Sequence, residues 1–108
     1  MQSFAVTPSP PYFAVIFSSM LSEDHEGYAG MAEQMQRLAR EQPGFLGLES
    51  AREDGFGISV SYWRDEESIR QWRDNLHHQV ARKMGREKWY AGFSLRVARV
   101  EREGSFGI

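Results

Sequence analysis

The stretch Gly57-Ile58-Ser59-Val60-Ser61-Tyr62-Trp63-Arg64-Asp65-Glu66-Glu67-Ser68-Ile69-Arg70-Gln71-Trp72 changes period at its middle. Up to Trp63 the chain alternates, with Ile58, Val60 and Tyr62 on one side and Ser59, Ser61 and Trp63 on the other. That is the period of a strand. After it, Asp65 stands where a helix N-cap belongs, and Ser68 lies in the first turn. Ile69, Trp72, Leu76 and Val80 then share one helical face. Asp74-Asn75 interrupts that run, so the reading divides the helix there, with Asn75 capping a second piece that ends at Gly85.

Upstream, Phe45 to Arg52 (FLGLESAR) reads as a strand, and Glu53-Asp54-Gly55 supplies the hairpin turn. Tyr12 to Met20 (YFAVIFSSM) is β-branched and aromatic, and apolar on both alternating sets until Ser18. Such a strand is covered on both faces. Between these two strands, Ser22 is the expected N-cap of a helix whose inner face carries Tyr28, Met31, Met35 and Leu38. This helix stops before Pro43-Gly44. Downstream, a short turn from Arg86 to Trp89 leads to a last strand, Tyr90 to Arg102.

The order strand, helix, strand, strand, helix, strand defines an α+β fold. It is the ferredoxin-like βαββαβ arrangement with one four-stranded antiparallel sheet. The domain is expected over 12–103. Residues 1–11, with Thr7-Pro8-Ser9-Pro10-Pro11, form an extended arm, and 104–108 form a tail. Two helices cover one face of such a sheet. The other face is too apolar for water, since the last strand has Phe93, Leu95 and Val97 on one side and Ala98 and Val100 on the other. A homodimer packed sheet against sheet is therefore expected.

Composition narrows the chemistry. The chain has 108 residues, of which 13% are aromatic, enough rings to fill a core and to line a cavity or an interface. Net charge is -2, so there is no global positive field to hold nucleic acid or an anionic membrane. Residues 1–63 carry three basic and eight acidic groups, and residues 64–108 carry ten and seven. The later excess, at Arg82, Lys83, Arg86 and Lys88, reads as cations complementing a helix C-terminus. Cysteine is absent, which excludes disulfides, thiolate metal sites and a Cys nucleophile, and suits a reducing cytoplasm. The N-terminus has no charged region followed by a long apolar run, and no apolar stretch is long enough for a bilayer.

Three histidines give little support for a metal site. His77 and His78 are adjacent, so on a helix they point about 100° apart and cannot easily share an ion. His77 is either a partly buried, hydrogen-bonded residue or a general base facing a pocket between helix and sheet; His78 is the second candidate base. Trp63, Trp72, Trp89 and Tyr90 gather around the second helix as an aromatic core or as the walls of a pocket for a flat substrate. Ser18, Ser19 and Tyr28 are candidate hydroxyls for that pocket. The Gly-Phe-Gly at 55–57 is a turn and strand entry, not a phosphate loop.

The run Ser61 to Trp72 resembles the most recognisable segment of the antibiotic biosynthesis monooxygenase family, in which an aromatic pair ends a strand, an acidic turn follows, and an aliphatic-x-x-Trp helix begins. His77-His78-Gln79, Gly85 to Tyr90 and Pro43-Gly44-Phe45 are also similar to that family. The resemblance implies a dimeric α+β barrel. It also implies one of several roles: cofactor-independent oxygenation of an aromatic or quinol-type molecule with O2, haem degradation, or a non-catalytic small-molecule-binding or stress-response dimer. In the haem-degrading branch an Asn on the first strand, a Trp on the second helix and a His ten residues later form the site. Trp72 matches, whereas the first strand offers Ser18 and Ser19, and Arg82 occupies the His position. Arg82 is then a substrate-binding candidate, no cofactor is expected, and haem is disfavoured.

Overall fold

Asp65 acts as the N-cap that its position predicts. Its Oδ1 accepts hydrogen bonds from the Ser68 backbone N–H at 2.8 Å and from the Ser68 hydroxyl at 2.7 Å. The computed structural model describes residues 3–77 and 88–108. Over these the elements are β1 (Tyr12–Leu21), α1 (Tyr28–Arg40), β2 (Phe45–Glu53), β3 (Phe56–Trp63), α2 (Glu66–His77) and β4 (Tyr90–Val100). The strands lie in the order β2-β3-β1-β4 and every neighbouring pair is antiparallel. This is the expected ferredoxin-like arrangement. Asp54 and Gly55, with φ of 53° and 85°, give the β2–β3 link the two positive φ values of a tight type I′ hairpin.

The Pro43-Gly44-Phe45 turn sits directly on the start of α2. Gly44 has φ of 83°, and a Cβ there would lie 2.0 Å from Ser68 Oγ, so glycine is required both for the turn and for the close approach. The Gly44 carbonyl accepts from Arg64 N–H at 2.8 Å, which ties the entry of β2 to the exit of β3.

Two expectations about the helices are corrected. Ser22 does not cap α1. Its hydroxyl faces the carbonyls of Asp24 and Lys88, and its N–H donates to Trp89 O at 2.7 Å, so it continues the β1–β4 edge. The helix starts later, with Gly27 in the left-handed region at its N-cap and no side-chain cap. Tyr28, Met31, Met35 and Leu38 are half-buried along one side, as their spacing predicts. The second correction is Asp74-Asn75, which does not break α2. Interior Asp and Asn cost only tenths of a kcal/mol each in propensity, less than the cooperative gain of continuing a capped helix.

Register assigns the faces of the sheet. Trp63 stacks on Trp72 of α2 and stands opposite Phe13 and Phe45, so those residues face the helices. By alternation Val15, Phe17 and Ser19 join them, while Ala14, Ile16, Ser18 and Met20 point to the open face. In β4, Phe93, Leu95 and Val97 pair with Ser19, Phe17 and Val15, on the helix side. Leu95 nevertheless stays 55% exposed. On the open face Met20, Phe56 and Ile58 are exposed. There the arm reaches β2: Ala5 N–H donates to Glu49 Oε2 at 3.0 Å, and Glu49 Oε1 accepts from Tyr62 OH at 2.7 Å. A shallow groove of about 440 Å³ lies beside it, lined by Phe4, Glu49, Ile58 and Val60 among others.

The Ser68 bonds hold the Asp65 carboxyl below its ordinary 3.8. A lowered folded-state value stabilises the fold above that pH and loses the contribution as pH falls through the folded value. Asp65→Ala is expected to cost about 1 kcal/mol at neutral pH. Asp65→Asn should keep most of the cap while removing its acid sensitivity; urea unfolding between pH 2 and 7 checks both.

Candidate functional site

The sheet face under the helices carries two aromatic groups, not one. The first is Trp63, fully buried, with Phe45 edge-on at 5.4 Å and Trp72 stacked at 6.1 Å. Trp63 Nε1 donates to Ser61 Oγ at 2.9 Å, which satisfies its one polar atom. The second group gathers at the other end of β1. Tyr28 of α1 meets Trp89 at 6.0 Å and Tyr90 at 5.6 Å, and Phe17 meets Tyr90 and Phe93, each at 5.4 Å. Trp89 Nε1 donates to Glu26 O at 3.0 Å, pinning the loop before α1.

The expected single cluster of Trp63, Trp72, Trp89 and Tyr90 is therefore divided. Trp63 pairs with Phe13, and Tyr90 pairs with Leu21. Eight residues of β1 separate those positions, about 26 Å at the rise of a strand. The Trp63 group has the character of core. The Tyr28 group is where polar atoms and rings meet.

At that second group the key residue is Arg52, at the far end of β2. Its Nη1 donates to Ser19 O at 3.2 Å and to Gly55 O at 2.5 Å. Its Nη2 donates to Ser19 Oγ at 2.6 Å and to Tyr28 OH at 3.1 Å. The guanidinium carbon lies 5.2 Å from the centre of the Tyr28 ring, a cation–π distance. Tyr90 OH bonds Tyr28 OH at 3.3 Å. Burial, with the Tyr28 hydrogen bond second, pushes the Tyr90 hydroxyl well above the ordinary tyrosine value, so it is a neutral hydroxyl at physiological pH.

Of the candidates named from sequence, Tyr28, Trp89 and Tyr90 come together here. Trp63 and Trp72 belong to the other group. Ser18 points to the open face, opposite Ile58 and Ser94, and Ser19 is the serine that reaches the aromatic group. His77 ends α2 with its side chain outside the described residues, and His78 and Arg82 lie outside them altogether. Among the described residues no group of three His, Asp or Glu could hold a metal ion, and no helix is long and apolar enough to cross a membrane.

Arg52 was not a sequence candidate, and strict alternation hides it. Phe45 faces the helices, so Arg52, seven positions on, would face away. The register shifts between Phe45 and Gly47, which inverts the parity of the rest of β2. A second shift, between Met20 and Leu21 of β1, does the same for Tyr90 relative to Phe93. Two irregularities of pairing thus aim one cation and one hydroxyl at the same place.

Known proteins share this architecture. A family described as antibiotic biosynthesis monooxygenase matches residues 11–84. The uncharacterized protein YqjZ of Bacillus subtilis is 51% identical over 107 residues, covering 98% of this chain and 94% of that protein. Jasmonate monooxygenase ABM of Pyricularia oryzae is 30% identical over 92 residues, covering 82% of this chain and 43% of that longer protein. Among solved structures, a mutant form of SnoaB, a cofactor-independent oxygenase from Streptomyces nogalater, superposes with a TM-score of 0.73 at 12% identity, covering 85% of this chain and 95% of that one. At that identity the likeness is one of fold.

The division into core and polar groups has a measurable consequence. Trp63→Ala is expected to lower stability by about 3–5 kcal/mol, since it empties a fully buried volume. Trp72→Ala should cost clearly less, because its ring is only half-buried. Equilibrium urea unfolding of the two variants measures the difference.

Proposed function

The chain belongs to the antibiotic biosynthesis monooxygenase family, and from that premise we propose that it is a cofactor-independent monooxygenase of a small aromatic or quinol-type molecule. The observation that carries the reading is the group formed by Tyr28, Trp89, Tyr90, Phe17 and Phe93 around the Arg52 hydrogen bonds. It combines flat apolar walls with fixed polar donors, the composition of a site for a flat, oxygenated ring. The name of SnoaB, a cofactor-independent oxygenase on the same fold, supports the cofactor-free form of the reaction. The name of jasmonate monooxygenase supports oxygenation of a small organic molecule.

The chemistry needs an electron-rich substrate. A base removes a proton to give a carbanion or phenolate, which passes an electron to O2 and then combines with the reduced oxygen. For a ring CH2 of the anthrone type, one oxygen atom ends as the ring carbonyl and the other leaves as water. All four electrons come from the substrate, so no external reductant is required. The protein binds, deprotonates and excludes water. We assign the base to His77, which ends α2, or to His78, and a substrate contact to Arg82. Haem does not fit the residues present: β1 carries serines where that branch has Asn, Arg82 stands at the His position, and Trp72 is stacked in the core against Trp63.

We place the protein in the cytoplasm as a homodimer packed sheet against sheet. Exposed Met20, Phe56 and Ile58 on the open face support that packing. Sedimentation at micromolar concentration should give twice 12.4 kDa. Ile58→Glu should shift the mass toward the single chain, and a wild-type mass of one chain would overturn the dimer.

Oxygen uptake tests the activity. With a panel of hydroquinones and anthrones, at least one substrate should be consumed above the buffer rate. His77→Ala or His78→Ala should lower that rate by about 10²-fold or more. Uptake equal to the buffer control for every substrate, together with saturable binding, would instead favour a non-catalytic small-molecule-binding or stress-response dimer.

A further inference from the structure

We propose that Arg52, Tyr28 and Tyr90 form a receptor for an anionic oxygen, so that the preferred ligand is a small aromatic carboxylate or phenolate and not a neutral arene. The inference rests on the preceding reading only for the location of the aromatic site, and its chemistry is independent of oxygen activation.

The guanidinium is preorganised. It lies flat against β3 at Gly57, where an added Cβ would stand 2.5 Å from its carbon and 2.8 Å from Nε. Tyr28 covers it from the other side. Four hydrogen bonds to Ser19, Gly55 and Tyr28 hold it in the plane between them. Holding a long side chain in one rotamer beforehand removes an entropy cost from ligand binding.

Its charge has no counter-ion among the described residues. The four acceptors are two carbonyls and two hydroxyls, all neutral. Among the described residues no carboxylate forms an ion pair with Arg52, although five other arginines make such pairs. Nε–H has no protein acceptor among the described residues.

The hydroxyl chain also has a spare donor. Tyr28 oxygen accepts from Arg52, and one hydrogen bond joins Tyr28 to Tyr90. Two hydroxyls hold two protons, and one proton makes that bond. The other is left for an acceptor from outside, polarised by the cation behind it. A fixed positive charge and a polarised O–H thus meet at Tyr28, whose hydroxyl is joined to Tyr90, the ring that Phe17 and Phe93 flank. Such donors favour an ionised acceptor, since charge-assisted hydrogen bonds exceed neutral ones. The two register shifts that bring Arg52 and Tyr90 to this face belong to the same device.

The test is an equilibrium titration by calorimetry, without turnover, using 2-naphthoate, its methyl ester and 2-naphthol. The wild-type protein should bind the acid at least about tenfold more tightly than the neutral ester, or bind 2-naphthol more tightly as pH rises through the naphthol's own ionisation. The first result identifies a carboxylate as occupant, the second a phenolate. Arg52→Gln should abolish the preference, costing the acid at least about tenfold more affinity than the ester. Gly57→Ala keeps the charge but evicts the guanidinium from its seat, and should have the same effect. The wild-type comparison stands even if a variant folds poorly. Equal or undetectable affinity for acid and ester with no response to naphthol ionisation overturns the proposal, as does a preference retained in both variants. A charge-selective site without oxygen uptake would keep this inference and overturn the oxygenase reading, and uptake without charge preference would do the reverse.

Discussion

Strand β1 is paired on both sides, to β3 and to β4, and its alternation decides what every other residue of the sheet faces. Antiparallel pairing places side chains directly opposite one another on a common face. Once Phe13 stands opposite Trp63, and Trp63 is buried against α2, the odd-numbered residues of β1 are committed to the helix side. Slipping the register by one residue would carry Phe13, Val15 and Phe17 to the open face together with their partners. That cost holds the register, and the register holds the site.

Within this frame the two departures from regular pairing are the informative ones. A perfectly regular β2 would send Arg52 away from the helices, and a perfectly regular β4 would do the same for Tyr90. Each shift reverses the parity of a strand end and turns a polar side chain to the helix side, where Arg52 remains exposed and Tyr90 half-buried. The price is a gap in the ladder at each irregularity. In return, Arg52 clamps three pieces of chain: Ser19 of β1, Gly55 of the hairpin and Tyr28 of α1. A structural clamp and a charged receptor coincide in one residue, which explains why its hydrogen bonds are many and its charge is still uncompensated among the described residues.

The open face shows a different balance. The arm supplies polar partners on both sides of the sheet, at β2 through Ala5 to Glu49 and after β4 through Thr7 to Glu103, which also accepts from Tyr12 OH at 2.5 Å. Burial first, and the Glu103 bond second, hold the Tyr12 hydroxyl above its ordinary value, as burial and Glu49 do for Tyr62. These carboxylate–phenol pairs let a polar seam cross an apolar surface without losing hydrogen bonds. Beyond the seam, Met20 and Ile58 are left to water, in keeping with the apolar excess legible in β1.

The amino-acid sequence by itself determined the element order, the Asp65 cap and the tight hairpin at Asp54-Gly55. Each depends on short-range chemistry: a period of two, a period of 3.6, a capping side chain, or a residue tolerant of positive φ. It also marked Tyr28, Trp89 and Tyr90 as residues worth attention. Tertiary structure alone decided that Ser22 serves a strand edge and not a helix cap, because the carbonyl of Lys88 is brought to it from sixty-six residues away. It alone separated the Trp63 group from the Tyr28 group, since their distance is measured along β1 and not along the chain. And it alone brought Arg52 into the site, because a parity inverted by pairing with a neighbouring strand leaves no local trace in the strand that carries it.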